Sequence, residues 1–138
     1  MSIMVLDRTI RYKEKISYVF ECLREIKEVL PEPSGIVLKG VYYNLSSAIE
    51  STMDMIAMLC KDLGIMPKGD YENIENLQSR GTISENLAIR LAKCNGLRNI
   101  LVHQYNGIDD ARVVKSISQV DEDLKAFIEI VEEHLGEP

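Results

Sequence analysis

Eight residues near the C-terminal third, Arg98-Asn99-Ile100-Leu101-Val102-His103-Gln104-Tyr105, gather a permanent cation, an imidazole and a phenol. His103 is one of only two histidines in the chain. A guanidinium holds a phosphate or carboxylate bidentately and stabilises charge developing on oxygen. An imidazole takes or gives a proton near neutral pH. A phenol contacts a sugar–phosphate backbone or stacks on a base. The stretch therefore has the parts for proton transfer beside a bound anion. The bland alternative is an arginine paired with a surface acid, a histidine satisfied at a helix end and a packed tyrosine; spacing alone favours that alternative.

Geometry narrows the choice. On an ideal helix, at roughly 100° per residue, Arg98 and Tyr105 share a face, whereas His103 lies roughly 140° from Arg98. One ideal helix does not assemble the three. Either the helix ends near His103 and the chain redirects the side chains, or two copies face each other across a symmetric interface. Ile100, Leu101 and Val102 are apolar and are expected to anchor the segment in the core, holding its polar neighbours rigidly.

The elements that must position this stretch read as helices. Ile16, Val19, Phe20, Leu23, Ile26 and Leu30 recur at helical spacing from about Arg8 to Leu30, with Asp7 as a candidate N-cap. Pro31-Glu32-Pro33-Ser34-Gly35 stops that helix. A second runs from about Ile36 to Leu63, with Gly64 as its C-cap and Pro67 beyond. Two long helices joined by a short turn pack antiparallel. A short helix capped by Asp70 and ended by Gly81 follows. Ser84 then caps another carrying Leu87, Ala88, Leu91 and Ala92, with a kink or break expected at Asn95-Gly96. Helix resumes through the opening stretch to about Tyr105-Asn106-Gly107. Asp109 or Asp110 caps the last helix, whose buried side runs from Val113 to Leu135. No period-two alternation, repeat or linker interrupts the series. The fold class is all-α, a single up-and-down helical bundle over residues 1–138.

Bulk properties set outer limits. A chain of 138 residues with 46% hydrophobic and 28% charged residues suits one globular domain with a real core. A net charge of -6 argues against coating nucleic acid by bulk charge, though not against a local basic cleft. Cys22, Cys60 and Cys94 form no Cys-x-x-Cys pair and read as buried thiols of a reducing compartment. No stretch approaches a membrane span and no signal peptide is evident, so the cytoplasm is expected. Met53, Met55 and Met58 are read as core.

Other candidates are weaker. Glu50 and Asp54, one turn apart on the second helix, are placed to orient Arg98 or a partner, but such acids more often face solvent. His134 ends the last helix as a surface residue with favourable dipole placement. No His/Cys/Asp/Glu set has metal-ligand spacing, no phosphate loop is present, and no cofactor is expected.

Arg-Asn-x-x-x-His-x-Tyr, preceded by Gly96-Leu97 and followed by an Asp-rich turn, resembles the HEPN superfamily and, within it, the HepT toxins that partner minimal nucleotidyltransferase antitoxins. The likeness extends through Asn44-Leu45-x-x-Ala48-Ile49-Glu50 to Asp54, Leu63-Gly64-x-x-x-Pro67, Tyr71 and Gly81-x-Ile83-Ser84. It implies a helical bundle that forms a homodimer and cleaves RNA, either tRNA or mRNA, without metal, the Arg and His of both protomers lining one cleft. By motif, Arg98 and His103 would be the catalytic pair and Asn99 a supporting polar residue. Tyr105 would be the tyrosine to which the antitoxin transfers AMP. Gln104 and Asn106 stand where the family often has acids. The RNA 2′-hydroxyl would serve as nucleophile, leaving a 2′,3′-cyclic phosphate. AMP on Tyr105 would block the cleft by volume and charge. The alternative is a non-catalytic nucleotide-binding or regulatory partner subunit of a nucleotidyltransferase.

Overall fold

The computed structural model describes residues 2–103 and 107–136, and every regular element among them is a helix. These are α1 (Ile3–Val29), α2 (Gly35–Asp62), α3 (Asp70–Ser79), α4 (Glu85–His103) and α5 (Asp110–His134). α1 begins one turn earlier than the apolar pattern indicates. The Ser2 hydroxyl, not Asp7, accepts the Val5 N–H at 3.1 Å, so an early serine overrides the later acid as N-cap. α2 closes as the sequence predicts. Gly64 takes φ +81°, which lets the Ile65 N–H reach back to the Cys60 carbonyl at 2.9 Å and the Gly64 N–H to Lys61 at 3.1 Å.

α1 and α2 form the largest interface in the bundle. Arg8 pairs with Asp62, Lys15 with Asp54 and Glu25 with Asn44. The partner's number falls along α2 as it rises along α1, so the two run antiparallel. α4 lies against α2 and α3, and α5 closes the bundle against α4, α2 and α1. Tyr12, Leu45, Ile56, Leu91, Leu124 and Phe127 are fully buried at its centre. Met53, Met55, Met58 and all three cysteines are buried as well.

Three details of the chain differ from the pattern reading. Asp70 is the first residue of α3 and Gly69 occupies the cap position. Asn73 secures that turn, its side-chain oxygen accepting from the Lys68 N–H at 2.7 Å and its amide donating to the Lys68 carbonyl at 3.2 Å. No break occurs at Asn95-Gly96, because α4 is continuous through it. Asn95 is buried, and a Cβ at Gly96 would stand 3.7 Å from the Tyr71 hydroxyl. That is an ordinary van der Waals distance, so Gly96 sits in contact range of α3 within an unbroken helix.

The third concerns His134. Its Nε2 lies 3.0 Å from Asp62 Oδ2, and its ring meets the edge of Tyr12 at 6.1 Å. Asp62 also accepts from the Tyr12 hydroxyl at 2.7 Å and Arg8 Nε at 2.8 Å, while Arg8 Nη2 donates to the Met58 carbonyl. One carboxylate thus ties together the start of α1, the end of α2 and the end of α5. Partial burial pulls the Asp62 pKa up, but the hydrogen bonds from Tyr12 and His134 and the Arg8 charge outweigh it and hold it below its ordinary value. A depressed carboxylate stabilises the fold fully above its unfolded pKa of about 3.9, and that contribution is lost as pH falls through the lower folded value. Asp62→Ala is expected to cost about 2–3 kcal/mol at neutral pH, since it strands the buried Tyr12 hydroxyl as well as removing bonds to a charged acceptor. Urea midpoints at pH 7 and pH 3 check this: the difference between variant and parent narrows in acid.

Candidate active site

Arg98 sits on α4 where that helix faces α2. The apolar positions Leu87, Leu91, Cys94 and Leu101 pin α4 in the bundle. Arg98 keeps a quarter of its side chain exposed and reaches Glu50, with Nη2 3.5 Å from Oε1. Nη1 donates to Asn99 Oδ1 at 3.1 Å. Nε is buried and makes no hydrogen bond among the described residues. One turn earlier, Asn95 Oδ1 is likewise buried without a partner. A guanidinium has five N–H donors, and among the described residues one hydrogen bond and one long ion pair engage it. Arg98 is thus oriented but far from saturated, as suits a residue that accepts an anion.

Of the two candidate acids on α2, Glu50 meets Arg98, whereas Asp54 points elsewhere. Asp54 instead pairs with Lys15 of α1 at 3.2 Å. Both acids line a shallow cavity of about 300 Å³ with Lys15 and Tyr18. Glu50 is well exposed, so its pull on Arg98 is that of a solvated ion pair, worth about 0–1 kcal/mol.

The end of α4 departs from expectation. Leu101 alone anchors the segment, at 3% exposure, whereas Ile100 and Val102 are 57% and 51% exposed. His103, the last residue of α4, is exposed too. The final turn therefore meets the core on its Leu101 side only. Arg98 and His103 stand five residues apart on α4, which on helical geometry sets them on different flanks of that helix. Tyr105 lies outside the described residues. Among the described residues no group of three or more His, Cys, Asp and Glu side chains could hold a metal ion.

Pattern reading missed a polar pair between α4 and α5. Asp123 is only 3% exposed, and its Oδ1 lies 2.9 Å from Arg90 Nε and accepts from Gln119 Nε2 at 2.8 Å. Arg90 Nε is off axis for a hydrogen bond, so charge holds that pair. The signal was an acid between Val120 and Phe127, in phase with the apolar stripe of α5. At the other end of this stretch of α5, the Tyr42 hydroxyl of α2 donates to Asp110. Burial and that acid push the Tyr42 phenol well above its ordinary pKa, keeping it a proton donor.

Comparison with known proteins completes the site description. The family model described as "Ribonuclease HepT-like" matches residues 12–131. A protein of Archaeoglobus fulgidus named "Putative RNase" is 50% identical over 125 residues, covering 91% of this chain and 93% of that one. The Shewanella oneidensis protein named "mRNA nuclease HepT" is 27% identical over 124 residues, covering 85% and 92%. Among solved structures, the tri-AMPylated Shewanella oneidensis HEPN toxin in complex with its MNT antitoxin superposes with a TM-score of 0.79 at 23% identity, over 96% of this chain and 99% of that one. At that identity the superposition speaks for the fold, while the extent of the family match speaks for descent. The chain belongs to the HepT-like ribonuclease family of HEPN proteins.

Proposed function

We propose that this chain is a metal-independent endoribonuclease toxin acting as a homodimer, with Arg98 and His103 of facing protomers as the catalytic pair and Asn99 as the residue that orients Arg98. The observation that carries the reading is the end of α4. Its last turn leaves Ile100, Val102 and His103 exposed beside an incompletely bonded Arg98. A second copy packed on this turn would cover the apolar pair and set one protomer's imidazole against the other's guanidinium. In that cleft Arg98 binds the scissile phosphate and stabilises charge on its non-bridging oxygens. His103 moves a proton, and the RNA 2′-hydroxyl attacks phosphorus, expelling the 5′-oxygen and leaving a 2′,3′-cyclic phosphate. The Shewanella relative's name points to mRNA as the substrate class.

The test is cleavage of a labelled RNA by purified protein in excess EDTA. Undiminished cutting with cyclic phosphate ends is expected; cutting that EDTA abolishes would overturn the metal-independent scheme.

Control belongs to Tyr105, two residues beyond His103. A nucleotidyltransferase antitoxin transfers AMP to its hydroxyl, and the bulky anion occupies the cleft in place of RNA. With the antitoxin and ATP, intact mass should rise by whole AMP units and cleavage should stop. Tyr105→Phe is expected to remain unmodified and active. A phenylalanine variant that gains AMP as readily as the parent would remove Tyr105 from the scheme.

A further inference from the structure

We propose that the groove between α4 and α5 is an RNA-binding subsite, holding a short run of nucleotides on one side of the cleaved bond; the inference rests on RNA being the substrate. The groove encloses about 740 Å³, within the range of small-molecule sites. Its floor is apolar, built from the buried Cys94, Val113 and Val120, with Ile89 and Ile100 as exposed walls. Such a slot suits the flat face of a base.

Charge gives the groove its direction. Arg90, Lys93 and Arg112 line it, against Asp109 and Asp123, in a chain whose net charge is -6. Both acids are engaged within the protein. Asp109 caps α5 by accepting the Arg112 N–H at 3.2 Å, and Asp123 faces Arg90 and Gln119. Among the described residues of the groove, Lys93 and Arg112 are the cations left for a ligand phosphate, Arg112 in the first turn of the 25-residue α5. The two contacts of Asp123 fall on Oδ1. Its second oxygen can accept from an exocyclic amine, which adenine, cytosine and guanine carry and uracil lacks.

Position links the groove to the cleaved bond. Its α4 side runs from Asn86 to Ile100, about 21 Å at helical rise. It ends one turn before His103 and includes Leu97, the neighbour of Arg98. A second copy, which covers Ile100 at the groove's end, suits the rest of the groove poorly. A two-fold contact brings like patches together, so two facing grooves would crowd Lys93 and Arg112 of both copies into one seam.

Binding is measured on His103→Ala protein, so that RNA stays intact and affinity is read apart from cutting. The probes are a short labelled single-stranded RNA, 5′-AMP, 5′-CMP and 5′-UMP. Arg112→Ala and Lys93→Ala should each weaken RNA binding several-fold and lower the salt slope by about one. Ser116→Trp, which fills the groove, should weaken it about tenfold or more and erase a preference for AMP and CMP over UMP. Parental affinity and salt slope in both cation variants would overturn the proposal. So would a Ser116→Trp protein that binds RNA normally but has half the parental mass in solution, which makes the groove an interface between copies. Failure of the parent to cut RNA would instead sink the nuclease reading, leaving nucleotide binding in the groove to be read on its own.

Discussion

Arg98→Ala and His103→Ala are each expected to abolish RNA cleavage while leaving the bundle folded. A positioned acid–base group contributes about 10²–10⁴-fold to rate. Removing a donor that stabilises a developing oxyanion costs about 10²–10³-fold. Both residues serve one step, so the double variant should be little slower than the worse single one. Arg98→Lys should fall between, since an ammonium keeps the charge but loses the planar fork that grips a phosphate. Stability should hardly change. Arg98 is tied to the fold by a 3.5 Å pair with an exposed glutamate and a bond to its neighbour, contacts worth about 1 kcal/mol or less. His103 is exposed at a helix end. The measurement is initial cleavage rate together with the urea midpoint. Either alanine variant cutting at the parental rate would remove that residue from the active site.

Much of this architecture is legible in the chain because helical periodicity and caps are local. The 3.6-residue stripe of α2, the glycine at 64 and the serine at 84 each act within a few residues, and all behave as read. What escapes the pattern is decided across helices. Asp62 ends an apolar phase through Met55 and Leu59, and only the approach of α1 and α5 turns it into the hub for Arg8, Tyr12 and His134. Gly96 looks like a breaker until Tyr71 is seen against it. The same holds for the site. Residue types draw attention to Arg98 and His103, only the resemblance gives them roles, and the link from Glu50 to Arg98 follows from α2 lying against α4. Hydrophobicity misplaces Ile100 and Val102, because an apolar triplet carries no mark saying whether its cover is the chain's own core or another surface.

That uncovered pair leads to the second large effect. The Ile100→Glu/Val102→Glu protein is expected to be monomeric by sedimentation and to lose RNA cleavage, although Arg98 and His103 are untouched. Each side chain is about half exposed. Covering it in a dimer is worth on the order of 1 kcal/mol per residue per protomer, and the glutamates would meet their own symmetry mates across the axis. A monomer that still cuts at the parental rate would show the site to be complete in one chain. A mixing experiment separates the remaining arrangements. Combined Arg98→Ala and His103→Ala proteins, each inactive alone, form mixed dimers on subunit exchange. If each site takes its arginine from one protomer and its histidine from the other, one of the two sites in a mixed dimer is whole. Recovered activity should then approach about a quarter of the parental value, since about half of the dimers are mixed. If both residues act from the same protomer, every site stays broken and nothing is recovered. The 140° between the two side chains on an ideal helix favours the first outcome.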